Sequence, residues 1–214
     1  MSWWGHRAAE GDAESMFLYG HCLLTQGPNQ NETKALEFFQ EAAAMNHVES
    51  LLFMGRYIVS VGERTGSKDE ARAYDYFNKA AAQGSSKGLF FVALSLLQGE
   101  GVSQDLRKAA ETFSRVASFN DEFHDEALAH LGCCYAKGDD NLPRDFKKAV
   151  ELFKVSARSD NTLAQYMLGA CYVNKTGVEF DLNNAMHLLK LASLKGHKEA
   201  NRLLTQLIDL YNIK

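Results

Sequence analysis

His130 and Cys134 stand four residues apart, so a helix through them would bring the imidazole and the thiol together on one face, as a thiolate nucleophile and its base require. That chemistry also needs a third group to orient the base and an oxyanion site, and a helix interior offers neither. Helix packing explains Cys134 better. His124 and His130 are six apart, on different faces, and no H-E-x-x-H or paired C-x-x-C occurs, so no metal site is expected. Gly99-Glu100-Gly101 lacks the following Gly and Lys of a phosphate loop and reads as a turn, while Asp139 and Asp140 lack the alternating ligands of a calcium loop. The chain is expected to have no catalytic residue and no cofactor, and reads as non-enzymatic.

The elements around these residues repeat. An alanine-phenylalanine phrase recurs as Lys34-Ala35 with Phe39, Arg72-Ala73 with Phe77, Lys108-Ala109 with Phe113, Lys148-Ala149 with Phe153, and Asn184-Ala185 with Leu189, at spacings of 36 to 40 residues. Self-similarity at that period marks a solenoid whose units bury their apolar faces only against neighbours. Four residues before each alanine stand Asn31, Asp69, Asp105, Asp145 and Asp181, all able to accept from the free amides of a helix start. Eleven after it stand Asn46, Gly84, Asn120, Asp160 and Gly196, types suited to the left-handed turn that closes a helix. These bounds define a helix B of about fourteen residues.

A helix A precedes each helix B, marked by a small residue and, five positions later, glycine or alanine: Ser15 and Gly20, Ser50 and Gly55, Gly88 and Ala93, Ala127 and Gly132, Ala164 and Gly169. Glycine in a helix costs about 1 kcal/mol relative to alanine, so four at one register imply close approach by a neighbouring helix. Apolar residues flank that point, such as Met16, Tyr19 and Leu23 or Leu51, Met54 and Ile58, and form the stripe on which A packs against B.

These phrases, with Gly99-Glu100-Gly101-Val102 leading to Asp105, Gly132-Cys133-Cys134-Tyr135, and Gly169-Ala170-Cys171-Tyr172 with Gly177-Val178 leading to Asp181, resemble the Sel-1-like repeat, a relative of the tetratricopeptide repeat. The resemblance covers nearly the whole chain, although the first two repeats lack the G-x-G-V loop. It implies an all-α, right-handed α-α superhelix over residues 1–214, with repeats at about 12–47, 48–84, 85–121, 122–160 and 161–197. It also implies an adaptor or assembly role, since members mostly bind other proteins.

Residues 1–11 match the second half of a helix B, with Trp4 at the phenylalanine position, and residues 198–214 supply a helix A with none after it. Such halves either cap the terminal repeats or, with Trp3 and Trp4 nearby, meet another protein or another copy through the chain ends.

Two prolines among 214 residues, of which 46% are hydrophobic, suit an ordered helical protein with an elongated core. No apolar run approaches the roughly 18 residues of a membrane span, and the first residues do not read as a signal or transit peptide. An intracellular, cytoplasmic location is therefore expected, and Cys22, Cys134 and Cys171, at equivalent points of repeats 1, 4 and 5, read as reduced packing residues. A net charge of −4 argues against nucleic acid as a partner.

By resemblance to tetratricopeptide geometry, residues three before, one after and four after the helix A glycine line the concave face. They are Phe17, His21, Leu24; Leu52, Arg56, Val59; Phe90, Leu94, Leu97; Ala129, Cys133, Ala136; Tyr166, Ala170, Val173. Apart from His21 and Arg56 all are apolar or small, and their borders are mostly polar: Glu14, Glu49, Lys87 and Glu126 on one side, Thr25, Ser60, Gln98, Lys137 and Asn174 on the other. An apolar floor with a polar rim is the composition of a peptide groove, with Phe17, Leu52, Phe90 and Tyr166 as expected anchors. The alternative is that adjacent A helices bury this stripe against each other. Two functions remain open: an adaptor binding a protein or peptide in the groove, and a fixed subunit or assembly factor of a large complex that uses its convex face and ends.

Overall fold

A computed structural model describes residues 6–8, 10–25, 31–66 and 69–211. All regular structure among them is α-helical, in the order α1 (Ala13–Thr25), α2 (Glu32–Ala44), α3 (Val48–Thr65), α4 (Glu70–Ala82), α5 (Ser86–Gln98), α6 (Leu106–Ser118), α7 (His124–Lys137), α8 (Phe146–Arg158), α9 (Thr162–Asn174), α10 (Leu182–Leu194) and α11 (Lys198–Tyr211). The chain forms two compact units, residues 1–104 and 105–214, which divide between α5 and α6. This is an all-α helix-hairpin solenoid fold. Trp3 and Trp4 lie outside the described residues.

The helix bounds follow from local chemistry. The amides of Lys34, Lys108, Lys148 and Asn184 donate to the side chains of Asn31, Asp105, Asp145 and Asp181 at 2.9 to 3.0 Å, which satisfies one orphan donor at each helix start. Asp69 holds the same position at the start of α4 but makes no such bond, so one expected cap is a cap by place only. At the far ends Asn46, Gly84, Asn120, Asp160 and Gly196 all have positive φ, between 52° and 86°, as the closing turn demands.

In the first unit α1 packs on α2 and α3 on α4, while α3 also lies against α2 and α5 against α4. Ala8, Met16 and Ala42 are buried together at its start, with Tyr19 and Phe38 around them. In the second unit α7 pairs with α8 and α9 with α10, and α9 also lies against α8. Phe153 and Leu168 centre one core there, and Leu189, Ala192, Ala200 and Leu207 another, to which α11 contributes its inner face.

In four of the five repeats glycine stands where helix B meets helix A, and Ala93 holds the position in α5. A Cβ on Gly55 would lie 2.5 Å from Cε1 of Phe77, and Gly20 meets Phe39 and Gly169 meets Leu189 in the same way. The G-x-G-V loop has a matching reason for its second glycine. Gly101 has φ 72° and its missing Cβ would run into the Glu70 carbonyl at the start of α4, as that of Gly177 would into Phe146 at the start of α8.

Candidate functional site

Phe77 of α4 slides under α3 because Gly55 leaves room for its ring, and on its other side Phe91 of α5 stacks on it with centroids 4.7 Å apart at 22°. The two rings floor a cleft of about 280 Å³ between α3 and α5. Its walls follow one rule on both helices. Arg56, Val59, Ser60 and Glu63 share a face of α3, and Phe91, Leu94, Ser95 and Gln98 share a face of α5, each set spaced by three or four residues and so lying in line along its helix. Glu100, just beyond α5, closes one end.

The middle of the cleft is apolar and its ends are charged. Val59, Phe91 and Leu94 are half-buried, whereas Arg56, Ser60, Glu63 and Gln98 are exposed. Arg56, Glu63 and Glu100 make no ion pair with any described residue. Glu63 lies seven residues after Arg56, which at a rise of 1.5 Å per residue separates them by about 10.5 Å along α3. A second, smaller hollow continues past Glu63 and Glu100 to Asp69 and Glu70, so carboxylates crowd that end. Both helices also finish there, closed by the left-handed Gly66 and Gly99 whose amides donate to Gly62 and Ser95 carbonyls at 2.8 Å, and their dipoles add negative potential.

The expected groove residues separate into groups. Arg56, Val59 and Leu94 line the cleft together with Ser60 and Gln98. Leu52 and Phe90 do not: at 6% and 3% exposure they are core, Leu52 on α3 where it lies between α2 and α4, and Phe90 on α5, which packs on α4. Phe17 and His21 are half-buried in a ring cluster, Phe17 against Phe39 at 5.7 Å and His47 at 5.3 Å, His21 against Phe39 at 5.3 Å and Phe53 at 5.6 Å. Leu24 and Leu97 are half-buried on α1 and α5. In the second unit Tyr166 stacks on His197 at 4.4 Å, and with Val173 it packs around Leu189 and Leu207; Ala129 is fully buried.

Phe77 and Phe91 were missed as site residues, yet the signal was in the repeats. The residue two before the helix A glycine or alanine is Phe53, Phe91 and His130 in successive repeats, and each ring lies against the helix B phenylalanine of the preceding repeat: Phe53 tilted on Phe39 at 4.0 Å, Phe91 stacked on Phe77 at 4.7 Å, His130 stacked on Phe113 at 5.3 Å. The ladder is visible once the register is extended by one position.

His130 and Cys134 do not form an activated pair. Burial pushes the His130 imidazole down to about 4 and the Cys134 thiol up to about 12, so at neutral pH the ring carries no charge and the sulfur keeps its proton. The adjacent Cys133 is also pushed up to about 12 by burial, and burial raises Cys171 as well. Among the described residues no cluster of His, Cys, Asp or Glu is arranged to hold a metal ion.

Repeated helix hairpins, closed by left-handed turns and interlocked by glycine and phenylalanine, define the class of α-α repeat solenoids. Within it, the Sel1 repeat model matches residues 13–47, 48–85, 86–111, 125–161 and 162–197, and the chain belongs to the Sel1 repeat family. Among solved structures, a Sel1 repeat protein from Oxalobacter formigenes is similar at a TM-score of 0.81 and 23% identity, over 94% of this chain and 78% of that one. A protective antigen of uropathogenic Escherichia coli with the same repeat fold is similar at a TM-score of 0.75 and 23% identity, over 99% of this chain and 44% of that one. At these identities the likeness is one of fold. Among curated proteins none matches the sequence.

Proposed function

We propose that this protein is a non-enzymatic adaptor that binds a peptide segment of another protein in the cleft between α3 and α5. One observation carries the reading: an apolar centre on an aromatic floor, rimmed by exposed polar and charged side chains, at the size of one or two side chains. Family membership supports it, since Sel1 repeats are generally protein-interaction scaffolds. The protonated Cys134 and uncharged His130 support the non-enzymatic part. Four free cysteines suit a reducing, intracellular setting, and no helix among the described residues is long and apolar enough to cross a membrane.

The test is selection of peptides from a displayed random library on the full chain, followed by binding to Leu94→Asp and to the parent. Leu94→Asp should weaken the selected peptides at least tenfold, because it sets a carboxylate in the apolar centre. Equal binding to both proteins would reject the cleft.

A second reading, a fixed subunit of a larger assembly, is favoured by exposed apolar side chains at the end of the second unit. Leu194 is 76% and Leu210 72% exposed, with Tyr211 and Ile208 beside Leu210 on α11. Concentration-dependent association in sedimentation, removed by Leu194→Ser with Leu210→Ser, would select this reading.

A further inference from the structure

We propose, on the reading that the α3–α5 cleft is a peptide site, that its occupant is a short extended segment in which one apolar side chain is flanked by an acidic residue on one side and a basic residue on the other. Arg56 stands at one end of the cleft, exposed and without an ion pair among the described residues. Glu63 and Glu100 stand at the other end, with Asp69 and Glu70 just beyond them. The site is thus electrically polar along its length, positive to negative over about 10 Å.

Each half of that polarity excludes a class of occupant. An acidic segment would meet Arg56 favourably and then lay its second carboxylate against Glu63 and Glu100. A basic segment would do the reverse. Only a segment carrying both signs satisfies both ends while leaving no like charges juxtaposed. The volume sets the spacing. About 280 Å³ accepts an apolar side chain or two but not a helix, so the segment is extended; side chains then share a face at every second residue, and a charge two residues to either side of the central one faces the cleft with it, about 13 Å from first to last. The ring floor of Phe77 and Phe91 favours an aromatic side chain in the centre.

The experiment uses the full chain and four end-blocked, fluorescently labelled peptides that share a central tryptophan, with flanking residues two before and two after it: Asp and Lys, Asp and Asp, Lys and Lys, Ser and Ser. The Asp and Lys peptide should bind about tenfold tighter than either like-charged peptide. Arg56→Glu should make the Lys and Lys peptide the tightest, and Glu63→Lys with Glu100→Lys should do so for Asp and Asp; Arg56 and Glu63 are exposed and Glu100 is half-buried in the loop after α5, so circular dichroism should be unchanged. Equal affinity for all four, an order that Arg56→Glu does not alter, or no binding of the Asp and Lys peptide at about 1 mM would overturn the proposal. If the four bind equally but Leu94→Asp abolishes all of them, the polarity fails and the cleft stands; if Leu94→Asp changes nothing, the cleft fails too.

Discussion

Gly132 of α7 and Phe153 of α8 meet so closely that a Cβ on the glycine would lie 2.5 Å from the Cε1 atom of the ring. Two effects then oppose each other in Gly132→Ala. Helix propensity favours alanine by about 1 kcal/mol, while overpacking a close helix contact typically costs about 1 to 3 kcal/mol. The contact should win, because Phe153 is wholly buried and cannot swing away. Thermal melting should fall for Gly132→Ala and for Gly55→Ala, and Phe153→Leu should restore part of the loss in Gly132→Ala. A rise in melting temperature would show that the ring yields.

The two kinds of helix start give a paired expectation. Asp145→Ala should destabilise by about 1 kcal/mol, since Asp145 accepts from the Lys148 amide at 2.9 Å. Asp69→Ala should change stability by less than about 0.5 kcal/mol, since no cap bond is lost. Denaturant midpoints of the two variants decide it, and equal losses would put a working cap at Asp69.

Leu52 and Phe90 should now behave as core residues. Phe90→Ser should cost about 3 kcal/mol or more and Leu52→Ser about as much, with visible loss of helical signal on mild heating. Arg56→Ala, at an exposed position, should stay within about 0.5 kcal/mol. Stable, well-folded Phe90→Ser would restore that side chain to the open groove floor.

Acidification has a sign that His130 sets. Its imidazole is held down to about 4 by burial, whereas in the unfolded chain it titrates near 6.5, so between those values the unfolded state binds a proton that the folded state does not. Stability from this group is full above pH 6.5 and is lost as pH falls toward 4, by roughly 3 kcal/mol over the window. Glu126, in the first turn of the same helix and raised by burial, acts in the opposite sense as pH falls through the carboxylate range. His130→Phe keeps a ring to stack on Phe113 and removes the imidazole titration. The parent should therefore lose more stability than the variant between pH 7 and about pH 5, read from denaturant midpoints, and parallel losses would mean that His130 titrates normally.

Much of the fold was legible because its rules are local. An aspartate four residues before Ala109 and an asparagine eleven after it bound α6 whatever lies around them, since a helix start lacks amide acceptors and its closing turn needs positive φ. Gly55 and Phe77 announced each other because the same pair recurs from repeat to repeat, and in a stack each unit meets only its neighbours. The candidate cleft was legible in part. Val59 and Leu94 stand open in the cleft while Leu52 and Phe90, apolar residues on the same predicted face, are sealed in the core. An apolar side chain on a helix reads alike in sequence whether a neighbouring helix covers it or not, so the packing of α3 and α5 against other helices alone decided which of the four remain available to a partner.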